Sequence, residues 1–209
     1  MSYWRQPRGP MRRRTLTPAK LADAAVDVLD GEGEQALSMR RVADVLDVVP
    51  SSLYGHVRGR DDLCDLALDR ALGRELGGLL SAAEKGAAEV AVAWFDHLTR
   101  HPWAASFVLE RTPLGPAYLT LADVLCRLVS VAGVPPADVL GRAYAITAMV
   151  AGHAVAHHNA RHRDAAGYDD VELSDVPHLA GAVADFAGDW SAVVRQGVQA
   201  LLGTPARSG

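Results

Sequence analysis

Apolar positions recur along this chain at the three- and four-residue spacing of helices buried on one face. Thr17-Pro18 marks a helix start, a hydroxyl cap ahead of a proline whose missing N–H is not needed there. Leu21, Ala25, Val28 and Leu29 carry its inward stripe, and Gly31 is the expected stop. Ser38 predicts the cap of a second, short helix through Leu46, with Val42, Val45 and Leu46 inward and Arg40, Arg41 and Asp44 outward. Asp47-Val48-Val49-Pro50 breaks it, and Pro50 to His56 predicts a third helix of little more than a turn. Arg58-Gly59-Arg60 reads as a turn and Asp61 or Asp62 as a cap. Leu63, Leu66, Ala67, Leu68 and Leu72 mark a fourth helix that ends near Gly77-Gly78.

From Ala87 onward there is no strand-like alternation. Ala-, Leu- and Val-rich helical segments run over 87–100, 103–110, 115–133, 137–162 and 177–203, separated by Pro and Gly, with the acidic stretch 163–176 as an exposed loop. The fold class expected is all-α. A flexible basic arm (1–16) precedes a three-helix head (17–62) and a helical body (63–209), with 63–79 as the connecting helix. No internal repeat or low-complexity tract stands out.

Composition narrows the class. The chain has 209 residues, of which 49% are hydrophobic and 22% charged, which is globular and excludes a disordered or collagen-like chain. Charged residues and His interrupt every apolar stretch short of the ~18 residues that span a bilayer, and the Arg-rich start lacks the apolar run of a secretory signal, so a cytoplasmic protein is expected. Cys64 and Cys126 form no Cys-x-x-Cys pair and are expected to be reduced core residues. The net charge of −4 conceals an asymmetry: residues 1–60 hold ten Lys/Arg against seven Asp/Glu, while the remainder is acidic. A basic first third on an acidic body points to a polyanion partner for the head alone. Arg dominates the cations throughout, so position has to identify those that meet phosphate.

Two short helices joined by a tight turn, with a supporting helix before and a long helix after, make a helix-turn-helix whose second helix enters the major groove of DNA. That helix needs small and polar residues outward and apolar ones beneath. Pro50, Ser51, Ser52, Tyr54 and His56 satisfy the first condition, Leu53 and Val57 the second.

The stretch from Thr17 to about Leu72 resembles the N-terminal domain of the tetracycline-repressor (TetR) family. The most specific run is Ser52-Leu53-Tyr54-Gly55-His56-Val57, followed by Arg58-Gly59-Arg60 and a leucine-bearing helix. Asp47 stands where the family usually places the turn glycine; Asp tolerates positive φ better than most residues. The resemblance implies an N-terminal helix-turn-helix DNA-binding domain with a C-terminal helical ligand-binding and dimerisation domain. It also implies a transcriptional repressor released from its operator by a small-molecule effector, with no cofactor.

On physics and resemblance together, Arg40 is the candidate for a bidentate guanine contact and Ser38 lies at the groove edge. Arg41 faces solvent or phosphate. Ser51, Ser52 and Tyr54 contact phosphates or thymine methyls, His56 a phosphate, and Arg60, at the next helix's N-terminus, the backbone; Pro50 and Arg58 are further DNA-binding candidates. Arg12, Arg13 and Arg14 are candidates for phosphate or the minor groove. One head reads only half a site, so a homodimer on an inverted repeat is expected, with the dimer surface in 137–162 and 177–203. Candidate effector-contacting residues are Trp94, His97, Trp103, Phe107, Tyr118, Met149 and His153, the aromatic and amphipathic positions that interrupt the aliphatic background. His153/His157 and His158/His162 share helix faces, but no third ligand stands at fixed spacing and no metal site is assigned. Signatures of hydrolases, zinc proteases and nucleotide-binding loops are absent, so an enzyme is not expected. The alternatives are an architectural or protein-binding helical protein without an effector and, more remotely, a metal-dependent enzyme.

Overall fold

The Thr17 hydroxyl accepts the Lys20 amide at 3.2 Å and starts the first helix, as its sequence predicts. The computed structural model describes residues 3–5, 16–162, 171–186 and 188–203. Among them are the α-helices α1 (Pro18–Glu32), α2 (Met39–Val45), α3 (Arg60–Ala83), α4 (Ala87–Arg100), α5 (Pro102–Glu110), α6 (Pro116–Val131), α7 (Val139–His162), α8 (Pro177–Asp185) and α9 (Trp190–Leu202). A 3-10 helix, Pro50–Gly55, lies between α2 and α3. No strand occurs among the described residues, so the chain is all-α.

α1 packs on α2 and α3 to form the head. Leu21, Ala25, Val28 and Leu29 of α1 are buried, and so are Leu63, Ala67 and Leu72 of α3. α3 then continues into the body, where it packs on α4 and α6 while α7 packs on α4, α5, α6 and α9. At 1.5 Å per residue, its 24 residues make a rod of about 36 Å shared by head and body. Any tilt of this helix therefore moves the head.

Several expectations are corrected here. Gly31 lies inside α1, and Gly33, at φ 82°, ends it. α3 does not stop at Gly77-Gly78; a helical Gly costs only about 1 kcal/mol, and Leu79 and Ala83 are buried beyond the pair and hold the helix in place. Neither Asp61 nor Asp62 is the cap of α3, because Gly59 holds that position and the Asp62 carboxylate instead accepts the Arg58 amide at 2.9 Å. The segment 177–203 is two helices. Gly188, at φ 73°, turns the chain, and Asp189 caps α9 by accepting the Ala192 amide at 2.9 Å. Val45 is exposed, and Ala43 takes its expected place inward. The segment Val139–Ala160 is long and apolar enough, by length and composition, to cross a membrane, contrary to the reading that no run comes close. Its Ala143, Ile146, Val150 and Ala154 are buried in the helical core. In the basic arm, Tyr3–Arg5 forms a 3-10 turn whose Tyr3 is buried and donates its amide to Asp65 at 2.7 Å; Arg12, Arg13 and Arg14 lie outside the described residues.

α6 starts on a cap supplied from elsewhere in the chain. Asp69 of α3 accepts the Ala117 and Tyr118 amides at 2.7 and 3.3 Å, and a Cβ on Gly115 would overlap the Asp69 carboxylate. Burial raises the Asp69 pKa against these two bonds, so part of the cap's value is spent on desolvation. Asp69→Ala is therefore expected to cost about 1 kcal/mol in urea unfolding, the usual worth of a cap. Asp69→Asn, which keeps the acceptor without the charge, should cost much less. A loss in the Asn variant equal to that in the Ala variant would show that the charge, rather than the cap, matters.

Candidate functional site

The turn between α2 and Pro50–Gly55 is set by Asp47, whose φ of 52° is the only positive value outside glycine among the described residues. The Val48 amide reaches back to the Ala43 carbonyl at 3.0 Å and the Asp47 amide to the Asp44 carbonyl at 3.2 Å, closing the end of α2. Asp in place of glycine thus keeps the family's turn. The Ser38 hydroxyl accepts the Arg41 amide at 3.1 Å and caps α2. Beneath the 3-10 helix, Leu53 and Val57 are fully buried and fix its height on the head. Above it, Arg40, Val49, Pro50, Ser51 and Tyr54 form an exposed edge, with Tyr54 61% exposed. Ser52 and His56 are half-buried at its sides.

The cations of the head divide into two groups. Arg40 is exposed and makes no ion pair with any described residue. Arg41, expected to face solvent or phosphate, instead donates twice to Glu32 at the end of α1, at 2.6 to 2.9 Å. Arg60 binds the Glu34 carboxylate at 3.0 Å and its carbonyl at 3.2 Å, with its guanidinium 6.0 Å from the centre of the Phe107 ring. Arg58 lies 3.6 Å from Asp62 and is half exposed. Arg41, Arg58 and Arg60 thus each meet an acid of the head, and Arg40 alone of these four has no ion pair among the described residues.

The head is pinned to the connecting helix and the body by carboxylates that carry no motif. Asp23 of α1 holds Arg70 at 2.5 Å and Arg74 at 2.6 Å, both on α3, and the Arg70 hydrogen bond keeps its carboxyl below the usual range. Asp30, near the end of α1, accepts from the Trp103 indole at 2.6 Å and meets His101 Nδ1 at 2.7 Å. Glu75 of α3 meets His97 Nδ1 at 3.0 Å and His101 Nε2 at 3.5 Å, and also accepts from Arg100. Sequence reasoning missed Asp30 and Glu75, which look like any acids on an amphipathic helix. The i, i+4 spacing of His97 and His101 was the one available signal.

Five of the seven candidate effector residues fall into one line of rings. Trp94 stacks on His97 with centroids 5.1 Å apart and meets Tyr118 edge-on at 6.4 Å; His97 contacts His101, His101 contacts Trp103, and Trp103 contacts Phe107. Trp94, His97, Trp103, Phe107 and Tyr118 are all buried, as is Thr147 of α7. Met149 and His153 do not join this line: Met149 packs where Gly197 of α9 leaves room, and His153 lies edge-on to Trp190. They face α9 because they sit on a different side of α7 from Thr147.

Burial pushes the His97 pKa down to about 4 against the pull of Glu75, so the ring is neutral at pH 7. Burial would raise Glu75, but hydrogen bonds from Arg100 and His97 outweigh it and hold that carboxyl at about 2. An ionised carboxylate can only accept, so the His97 proton sits on Nδ1 and Nε2 keeps a bare lone pair. That Nε2 and the Trp94 indole N–H are buried with no hydrogen-bond partner among the described residues. A cleft of about 350 Å³ opens nearby between head and body, bounded by Leu29, Asp30, Gly33 and Glu34, by Pro102, Trp103 and Ser106, and by Val155, His158 and Asn159 of α7.

Comparison with known proteins adds to this geometry. The family model for the tetracyclin repressor-like C-terminal domain matches residues 86–192. An HTH-type transcriptional regulator of Saccharopolyspora erythraea is 34% identical over 215 aligned residues, covering 96% of this chain and 89% of the relative. ActR of Streptomyces coelicolor, solved in complex with (S)-DNPA, superposes with a TM-score of 0.69 at 25% identity, covering 90% of this chain and 98% of the other. BioQ of Mycobacterium smegmatis superposes with a TM-score of 0.68 at 26% identity, over 90% of this chain and 96% of the other, and a BioQ solved with its natural double-stranded DNA operator gives 0.60 at 25% identity, over 82% of this chain and all of the other.

Proposed function

The chain belongs to the tetracycline-repressor (TetR) family of transcriptional regulators, and from that premise we propose that it is a repressor that binds an inverted-repeat operator as a homodimer and is released by a small-molecule effector. The observation that carries the DNA-binding half is the exposed edge of Arg40, Ser51 and Tyr54 on a segment locked from below by Leu53 and Val57. Exposed donors on a rigid support are what groove recognition requires. Arg40 reads guanine. Ser38, Pro50, Ser51, Ser52, Tyr54, His56 and Arg58 line the groove edge and phosphates, while Arg41 and Arg60 hold the head in shape.

The homodimer forms through α7, α8 and α9. α8 has no buried residue, and Tyr144 (51%), Leu179 (38%) and Phe186 (48%) are exposed large apolar groups beside the small residues Ala148 and Gly152. A second copy would cover them and set the spacing of the two heads. The effector acts on the ring cluster of the body, and Asp30, Glu75 and the shared helix α3 carry its effect to the head. Binding to DNA places the protein in the cytoplasm.

The test is equilibrium binding of the full chain to the DNA upstream of its own coding sequence, followed across salt concentration. We expect a complex with an inverted repeat at least 10³-fold tighter than with a scrambled duplex, with log affinity falling linearly with log salt. Equal affinity for both duplexes would refute the reading.

A further inference from the structure

We propose that Trp94 and His97 form a recognition pair for the hydroxyl group of a neutral, ring-bearing effector, and that His97 passes its occupation directly to the connecting helix α3. This deepens the effector reading above and rests on it.

Two polar groups of opposite kind are buried side by side without a hydrogen-bond partner among the described residues, the Trp94 indole N–H as a donor and His97 Nε2 as an acceptor. Their rings are parallel, 9° apart in tilt. A buried polar group left unpaired costs about 1–3 kcal/mol. A hydroxyl is the group that both accepts from an indole and donates to an imidazole. Water can supply one in the free protein and a ligand in the complex, and a ligand hydroxyl that displaces the water keeps its hydrogen bonds.

The surroundings select the rest of the molecule. Tyr118 and the Trp94 ring offer flat apolar surface, which favours a ring system over a flexible chain. The charged groups at this place, Glu75 and Arg100, already neutralise each other, so a ligand charge would be buried without a counterion. The effector is therefore neutral.

The same imidazole works in both directions. Its Nδ1–H is committed to Glu75 of α3 at 3.0 Å, while its Nε2 faces the ligand. Any shift of His97 toward a ligand hydroxyl pulls on Glu75, and Glu75 sits on the helix that carries the head.

The probes are 2-naphthol, naphthalene and 2-naphthoate, measured by equilibrium dialysis against the full chain, with affinity for the operator duplex read in the same samples. We expect 2-naphthol to bind once per subunit and at least tenfold tighter than either of the others. Trp94→Phe, which keeps a ring and removes the donor, should reduce that preference to less than threefold. His97→Asn, which leaves a donor near the Nδ1 position and deletes Nε2, should do the same, so the test does not depend on one variant folding. The proposal is overturned by no 2-naphthol binding, by equal binding of naphthalene, by tighter binding of 2-naphthoate, or by a preference that survives both substitutions. Hydroxyl-dependent binding that leaves operator affinity unmoved would uphold the pair and sink the effector reading. Release of the operator by other compounds with both variants responding normally would do the reverse.

Discussion

Arg40→Ala is expected to abolish operator recognition while leaving the fold and the dimer intact. Arg40 is exposed and bonds to no described neighbour, so its removal costs the protein nothing in internal contacts. A bidentate arginine–guanine pair discriminates by ~1–3 kcal/mol, and a homodimer loses one at each half-site, so affinity should fall by roughly 30-fold to 10⁴-fold. The loss should be specific: at the base pair that Arg40 reads, the variant should no longer distinguish the operator from single-site mutants of it. Tyr54→Ala should weaken all sequences alike, because a ring or hydroxyl against the backbone carries no base code. Arg41→Ala is the internal control. Its guanidinium is turned to Glu32 in an exposed, solvent-screened pair that is a small part of the bracing of the head, so operator affinity should stay within a few-fold of the parent. Anisotropy titrations of the three variants, with sedimentation to check the dimer, decide the matter. Normal binding by both Arg40→Ala and Tyr54→Ala would place the reading head elsewhere.

Acid should destabilise the protein in two stages, and the first belongs to His97. Its folded pKa of about 4 lies below the ordinary 6.5 because burial penalises the imidazolium. As pH falls through 6.5 the unfolded chain takes up a proton that the folded chain refuses, so stability declines until about pH 4. Lowering the pKa from 6.5 to about 4 corresponds to roughly 3 kcal/mol across that window. Glu75 acts in the second stage. Its carboxyl, held at about 2, contributes stability above the ordinary 4.5 that is lost as pH falls from there toward 2; at a quarter exposed and open to solvent screening, its share is smaller. Urea unfolding of the parent and of His97→Asn at pH 7 and pH 4.5 isolates the first stage. The parent should lose about 2 kcal/mol more than the variant between the two conditions. Equal slopes would mean that His97 titrates normally and is not buried as described.

Residue spacing determined the helical class, the short helix, tight turn and second short helix of the head, and the inward roles of Leu53 and Val57. These are local properties: caps, breakers and a 3.6-residue stripe act within a few residues, and the break at Asp47-Val48-Val49-Pro50 marked the turn that Asp47 holds at positive φ. Only the tertiary structure could decide the rest. The passage of α3 through Gly77-Gly78 depends on what buries Leu79 and Ala83, and the diversion of Arg41 and Arg60 into Glu32 and Glu34 depends on where distant acids arrive. The grip of Glu75 on His97 and the Asp69 cap on α6 are contacts between different helices, and they decide what the i, i+3 stack of Trp94 and His97 on α4 meets. Sequence periodicity records which face of a helix turns inward; which partner it meets there is set by how the helices cross, and that follows from the packing of the whole core.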